Sequence, residues 1–156
     1  MRSKIINLIL IVSILSATSL MARFKETEAL LSEAKREVGE MTPQELKKMI
    51  DSEEEVIVLD VREIEQRAEG KIYADDSYAI TRCNLEFQTM KIIENKDAII
   101  VSYCRGGIRS AFAAQTLRKL GYKNATSLKG GLKAWAKAGY VIETGLGVTK
   151  LVKDKE

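Results

Sequence analysis

The chain has 156 residues, 46% hydrophobic and 30% charged, with two cysteines, one proline and no histidine. That is enough apolar material for one compact domain and too few cysteines for a disulfide framework. The missing histidine removes Ser-His-Asp triads, Cys-His dyads and His-bearing zinc sites together, and a net charge of +3 without a long basic run argues against nucleic acid as a partner.

Arg2 and Lys4 precede an apolar stretch over residues 5–15, and the small and polar Ser16-Ala17-Thr18-Ser19 follow. A charged start, an apolar middle and a small-residue cut form the pattern of a secretory signal over residues 1–22. A retained membrane anchor over residues 5–22, at the short limit for a membrane helix, fits the same residues. On either reading the domain is exported: it is periplasmic, or tethered to the inner membrane through this segment alone. Residues 23–40 are charge-rich, with Leu30, Leu31, Ala34 and Val38 at roughly helical spacing, and are predicted to form a helical linker.

The next helix has a strong start. Thr42-Pro43-Gln44-Glu45 combines an N-cap, a proline at the first helical position and a capping-box glutamate, with Met41 and Leu46 placed as a hydrophobic staple. It is expected to run to about Ile50. The apolar, β-branched run Val56-Ile57-Val58-Leu59 reads as a strand buried on both faces, and Ala98-Ile99-Ile100-Val101-Ser102-Tyr103 repeats that pattern. Helical segments are expected near 63–69, 85–93, 110–120 (stopped by Gly121) and 132–138 (closed by Gly139), with a strand at 125–128. Trp135 is expected in the core. Alternating buried strands and helices predict a single α/β domain with a largely parallel sheet over residues 41–144, followed by a tail at 145–156.

The chemistry is concentrated in Ser102-Tyr103-Cys104-Arg105-Gly106-Gly107-Ile108-Arg109-Ser110. A cysteine opens the connection from a buried strand to a helix, at the strand end where α/β sheets build their sites. Gly106 and Gly107 are expected to turn the backbone with positive φ and point successive N–H groups inward as an anion nest. The following helix adds its positive end, and Arg105 and Arg109 add two permanent charges. Such surroundings lower a cysteine pKa from about 8.5 into the range of roughly 3.5 to 7.5. A cysteine seen alone after a strand is more often a small core residue; the glycines and arginines around Cys104 reverse that reading.

The chain resembles the rhodanese family of sulfurtransferases. The motifs, in order, are Val58-Leu59-Asp60-Val61-Arg62-Glu63, Leu85-Glu86-Phe87, the loop opened by Cys104, Leu120-Gly121-Tyr122, and Leu128-Lys129-Gly130-Gly131-Leu132-Lys133-Ala134-Trp135. The resemblance implies a parallel five-stranded sheet flanked by helices. It also implies a persulfide carried on Cys104 and a six-residue loop in which residues 105 to 109 cradle the added sulfur. A Cys-x5-Arg phosphatase loop would place its arginine at position 110, where this chain has Ser110; Arg109 comes one residue earlier and closes a smaller ring.

Departures from the family fall between residues 70 and 83. Lys71 and Tyr73 stand where a histidine and a proline are usual, and Thr81 and Cys83 replace the proline and glycine that commonly flank the arginine found here as Arg82. Arg82 reads equally as a substrate neighbour or a packing arginine. Asp60 and Arg62 read as an ion pair or cap supporting the site. Cys83 reads as an inert residue, a resolving thiol or a disulfide partner.

These features predict a sulfurtransferase. Cys104 would take sulfur from a donor such as thiosulfate and pass it to cyanide, a thiol or a protein acceptor, needing no metal or organic cofactor. A non-enzymatic persulfide carrier uses the same loop, and a thiol-redox protein using Cys83 and Cys104 is the remaining alternative.

Overall fold

The computed structural model describes residues 24–150, so the expected signal or anchor and the last part of the expected tail lie outside the described residues. The described residues fall into two units, divided between residues 33 and 34. In the first, the described residues 24–33 are helical. No helix among the described residues is long and apolar enough to cross a membrane.

The second unit begins with helical residues 34–38, whose Ala34 and Val38 are buried. It continues through β1 (Glu40–Met41), α1 (Pro43–Asp51), β2 (Val56–Asp60), a 3-10 segment (Ile64–Glu69), β3 (Lys71–Ile72) and β4 (Ser77–Ala79). After a 3-10 turn (Arg82–Asn84) come α2 (Leu85–Ile92), β5 (Ile99–Tyr103), α3 (Ile108–Lys119), β6 (Ala125–Leu128), α4 (Gly131–Lys137), β7 (Ile142–Thr144) and β8 (Gly147–Thr149). The main sheet has the order β1-β6-β5-β2-β4 and is parallel throughout. A second, antiparallel sheet joins β3, β7 and β8.

The start of α1 is capped as its residues require. Glu45 N–H donates to Thr42 Oγ1 at 3.2 Å and Thr42 N–H donates to Glu45 Oε2 at 2.7 Å, which satisfies two end amides. Strand side chains alternate between two cores. Leu59, Ile100 and Ala125 pack with Leu85, Ala113, Leu117 and Tyr122 below α2 and α3. Val58, Val101, Tyr103 and Leu128 pack with Leu46, Leu132 and Trp135 below α1 and α4. Burial on both faces explains the unbroken apolar strand runs. Trp135 is buried and donates its indole N–H to Val141 O at 2.8 Å.

The strand and helix pattern agrees with the expectations except where elements are short or sit at boundaries. The segment expected as a helix near 63–69 is 3-10. The domain does not start cleanly at residue 41: Arg118 donates to Glu37 O at 2.7 Å and Val38 O at 2.9 Å, tying the preceding helical residues to α3. Nor does pairing stop at 144, because β8 extends the small sheet into the expected tail.

Candidate functional site

The parallel sheet gathers the carboxyl ends of β2 and β5, and Cys104 follows β5 directly. Its side chain is 2% exposed. The next turn is made by Gly107 at φ +95°, which acts as the N-cap of α3. Gly106 does not take a positive φ, contrary to expectation, and a Cβ added there would meet nothing within 4 Å. One left-handed residue is enough to wrap the loop.

The wrapped loop aims its main chain at the sulfur. Gly107 N–H donates to Cys104 Sγ at 3.1 Å, and Ser110 Oγ lies 3.8 Å from it. Burial pushes the Cys104 thiol up, but the amides of Ser110, Gly106 and Gly107 and the Ser110 hydroxyl outweigh it, so the pKa falls below the ordinary cysteine value. Hydrogen bonds to a charged group are worth about 1.5–3 kcal/mol each, so several converging on one atom can overcome its desolvation.

The largest favourable contributions to the lowered pKa come from the loop amides and the Ser110 hydroxyl rather than from either guanidinium. Arg105 is half exposed and turned toward Glu69, with Nε at 3.0 and 3.3 Å from its carboxylate oxygens. Arg109, partly exposed, makes no ion pair among the described residues. Both remain permanent cations beside the loop, available to an anionic molecule rather than engaged with the sulfur. Ile108 begins α3 with its side chain 54% exposed.

Gly130 and Gly131 do more than turn the chain before α4. Leu132 N–H donates to Cys104 O at 2.9 Å and Lys133 N–H donates to Arg105 O at 3.1 Å. With those carbonyls turned toward α4, the loop amides are free to face the sulfur. The contact is tight: a Cβ on Gly131 would lie 2.3 Å from Cys104 O, at a backbone φ of +57°. The double glycine stood out in the sequence as part of a motif, but nothing local pointed to the Cys104 loop as its partner.

Asp60 and Arg62 form a buried pair behind the loop. Arg62 Nη2 lies 2.6 Å from Asp60 Oδ2, and Arg62 Nε donates to both carboxylate oxygens at 2.9 and 3.1 Å. Tyr103 O–H donates to Asp60 Oδ2 at 3.0 Å, and burial followed by the Asp60 charge pushes its pKa up. Arg62 also donates to Gln66 O and Gly70 O, at 2.9 and 2.7 Å. It therefore holds the 3-10 segment whose last residue, Glu69, meets Arg105.

Arg82 is placed elsewhere: it donates to Glu86 Oε1 at 3.0 Å and Thr116 Oγ1 at 2.9 Å, bracing α2 against α3. Cys83 and Cys104 are both free thiols; Cys83 is exposed and lies 3.4 Å from Thr81 Oγ1. Among the departures, Lys71 pairs with Glu143 across β3 and β7 at 3.3 Å. Among the described residues no cluster of histidine, cysteine and carboxylate side chains could hold a metal.

Residues 42–138 match the model of the rhodanese-like domain. The chain is 37% identical over 114 residues to a thiosulfate sulfurtransferase of Actinobacillus succinogenes, covering 70% of this chain and 94% of that protein. It is 30% identical over 105 residues to a sulfurtransferase of Allochromatium vinosum, covering 67% of this chain and 94% of the relative. A solved Rhodopseudomonas palustris structure, described as a protein of unknown function and a possible tyrosine phosphatase, superposes with a TM-score of 0.68 at 32% identity, over 75% of this chain and 93% of its own. With a buried cysteine wrapped in main-chain amides at the end of a central parallel strand, and with relatives that are sulfurtransferases, the chain belongs to the rhodanese-like family.

Proposed function

We propose that Cys104 carries a sulfane sulfur as a persulfide between two half-reactions. Its thiolate attacks the outer sulfur of a donor such as thiosulfate, the S–S bond of the donor breaks, and sulfite leaves with the bonding pair. A thiophilic acceptor then takes the terminal sulfur: cyanide leaves as thiocyanate, or a thiol leaves as a hydropersulfide, and the Cys104 thiolate is restored. The observation that carries this reading is a single buried Sγ that accepts from the Gly107 amide and the Ser110 hydroxyl, with the Gly106 and Ser110 amides also favouring its ionised form, so that its pKa falls. The loop also favours sulfur over phosphate. Position 110, where a Cys-x5-Arg loop needs its arginine, holds a buried serine bonded to Ser127 at 2.9 Å.

Arg105 and Arg109 are assigned to the anionic donor and its departing sulfite, and Asp60 and Arg62 to support of the loop. The same proposal places the domain outside the cytoplasm, with residues 1–22 as a signal or residues 5–22 as an anchor. N-terminal sequencing of the native protein distinguishes these. The chemical test is intact mass after thiosulfate treatment together with turnover to thiocyanate. Wild type should gain one sulfur atom and turn over, and Cys104→Ser should do neither. Turnover retained in Cys104→Ser would remove the proposal, and loading without turnover would reduce it to a carrier role.

A further inference from the structure

The Ser110 hydroxyl has a single proton to donate, and its direction is decided by groups behind the loop. Parallel register sets Ser102 of β5 beside Ser127 of β6, so both side chains rise on the same sheet face, under the first turn of α3. Ser102, Ser110 and Ser127 are all completely buried. Ser102 Oγ lies 3.0 Å from both Ser110 O and Thr126 O, and donates there. That contact anchors the Ser110 backbone.

Ser127 Oγ lies 2.9 Å from Ser110 Oγ and has no other hydrogen-bond partner among the described residues. A buried hydroxyl proton without an acceptor is costly. Ser127 therefore gives its proton to Ser110 Oγ, which leaves the Ser110 proton for Cys104 Sγ at 3.8 Å. The reverse order would strand the Ser127 proton and take one donor away from the sulfur.

We propose that Ser127 is a positioning residue for Cys104, acting through Ser110 by fixing the direction of a two-hydroxyl relay that ends on the sulfur. A donor aimed at Sγ favours the thiolate, because a hydrogen bond to a charged sulfur is stronger than one to a neutral thiol. The inference rests on reading Cys104 as a reactive thiolate and is independent of which molecule gives or takes the sulfur.

The test is the pH dependence of Cys104 alkylation by iodoacetamide, in the full chain carrying Cys83→Ser so that one thiol reports. Ser127→Ala is expected to move the midpoint upward and to slow alkylation near neutral pH by roughly three- to tenfold. Ser110→Ala should shift it in the same direction, and Ser127→Ala should add nothing further in that background, because the relay is already cut. A midpoint unmoved by Ser127→Ala, or a full additional shift on top of Ser110→Ala, overturns the proposal. Tm is followed in parallel: a serine of merely structural importance would lower Tm and leave the midpoint in place, which also overturns it. Normal alkylation behaviour in a wild-type protein that never loads sulfur would instead remove the sulfur-transfer reading and leave the relay standing.

Discussion

Cys104 is buried enough to resist ionisation, and yet the donors around it win. Persulfide formation from thiosulfate should therefore rise with pH to a plateau with a midpoint below about 8.5, the ordinary cysteine value. Stopped-flow release of sulfite at a series of pH values measures it. The linkage has a definite sign. The folded state holds the Cys104 proton less tightly than the unfolded chain, so wild type gains stability over Cys104→Ser as pH rises through the folded midpoint. The gain is complete above about 8.5 and is lost as pH falls back through that window, which urea midpoints at several pH values will show. The two loop glycines should also behave differently. Gly106→Ala meets open space and should stay within about 0.5 kcal/mol of wild type with loading intact. Gly107→Ala forces an alanine to φ +95°, with its Cβ 3.2 Å from Gly130 N, and should cost about 1–3 kcal/mol and impair loading.

Between elements, the site depends on contacts that no single segment contains. The first turn of α4 takes the carbonyls of Cys104 and Arg105, so Gly131→Ala should damage a loop more than twenty residues earlier in the chain. Loss of sulfur loading in a variant that remains folded by circular dichroism is the expected outcome. At the end of β2, Arg62 is fully buried among Asp60, Gln66 O and Gly70 O. Arg62→Ala leaves the Asp60 charge unpaired and should cost about 3–5 kcal/mol in chemical denaturation. Elements with strong local signals, the capped α1 and the apolar runs of β2 and β5, were legible in the residues themselves. The short β3, β4, β7 and β8 were not: two or three residues of mixed polarity become strands only because neighbouring backbone is in place to pair with them. Arg82 belongs to the same class, since its choice of Glu86 and Thr116 depends on how α2 and α3 meet.

Across the whole domain, a net charge of +3 hides a division along the chain. No acidic residue occurs between Asp97 and Glu143, whereas Glu53, Glu54, Glu55, Asp75, Asp76 and Asp97 fall just before β2, β4 and β5. All main-sheet strands run the same way, so those acids collect at the amino end of the sheet, while Arg105, Arg109, Lys129 and Lys133 follow β5 and β6 at the other. Glu63, Glu65 and Glu69 also follow β2 at that end, and Glu69 pairs with Arg105, so Arg109, Lys129 and Lys133 are the cations left to attract the anionic donor proposed for Cys104. Its loading rate should fall as salt is raised from low ionic strength to about 0.15 M, where the screening length is about 8 Å, while loading from an uncharged sulfur donor should change little.

The residues alone determined the family and the parallel α/β domain and singled out Cys104 as the candidate nucleophile, because strand hydrophobicity, helix caps and a Cys-Arg-Gly-Gly loop are local patterns that hold wherever the segment is placed. They also suggested that the arginines ionise Cys104. Only the tertiary structure added the Ser110 hydroxyl to the amides expected around the sulfur, turned Arg105 to Glu69, set Gly131 against the loop and stacked Ser127 behind Ser110. Each of these depends on the direction of a peptide or a hydroxyl relative to a distant segment, and such directions are set when strands pair in register and helices pack.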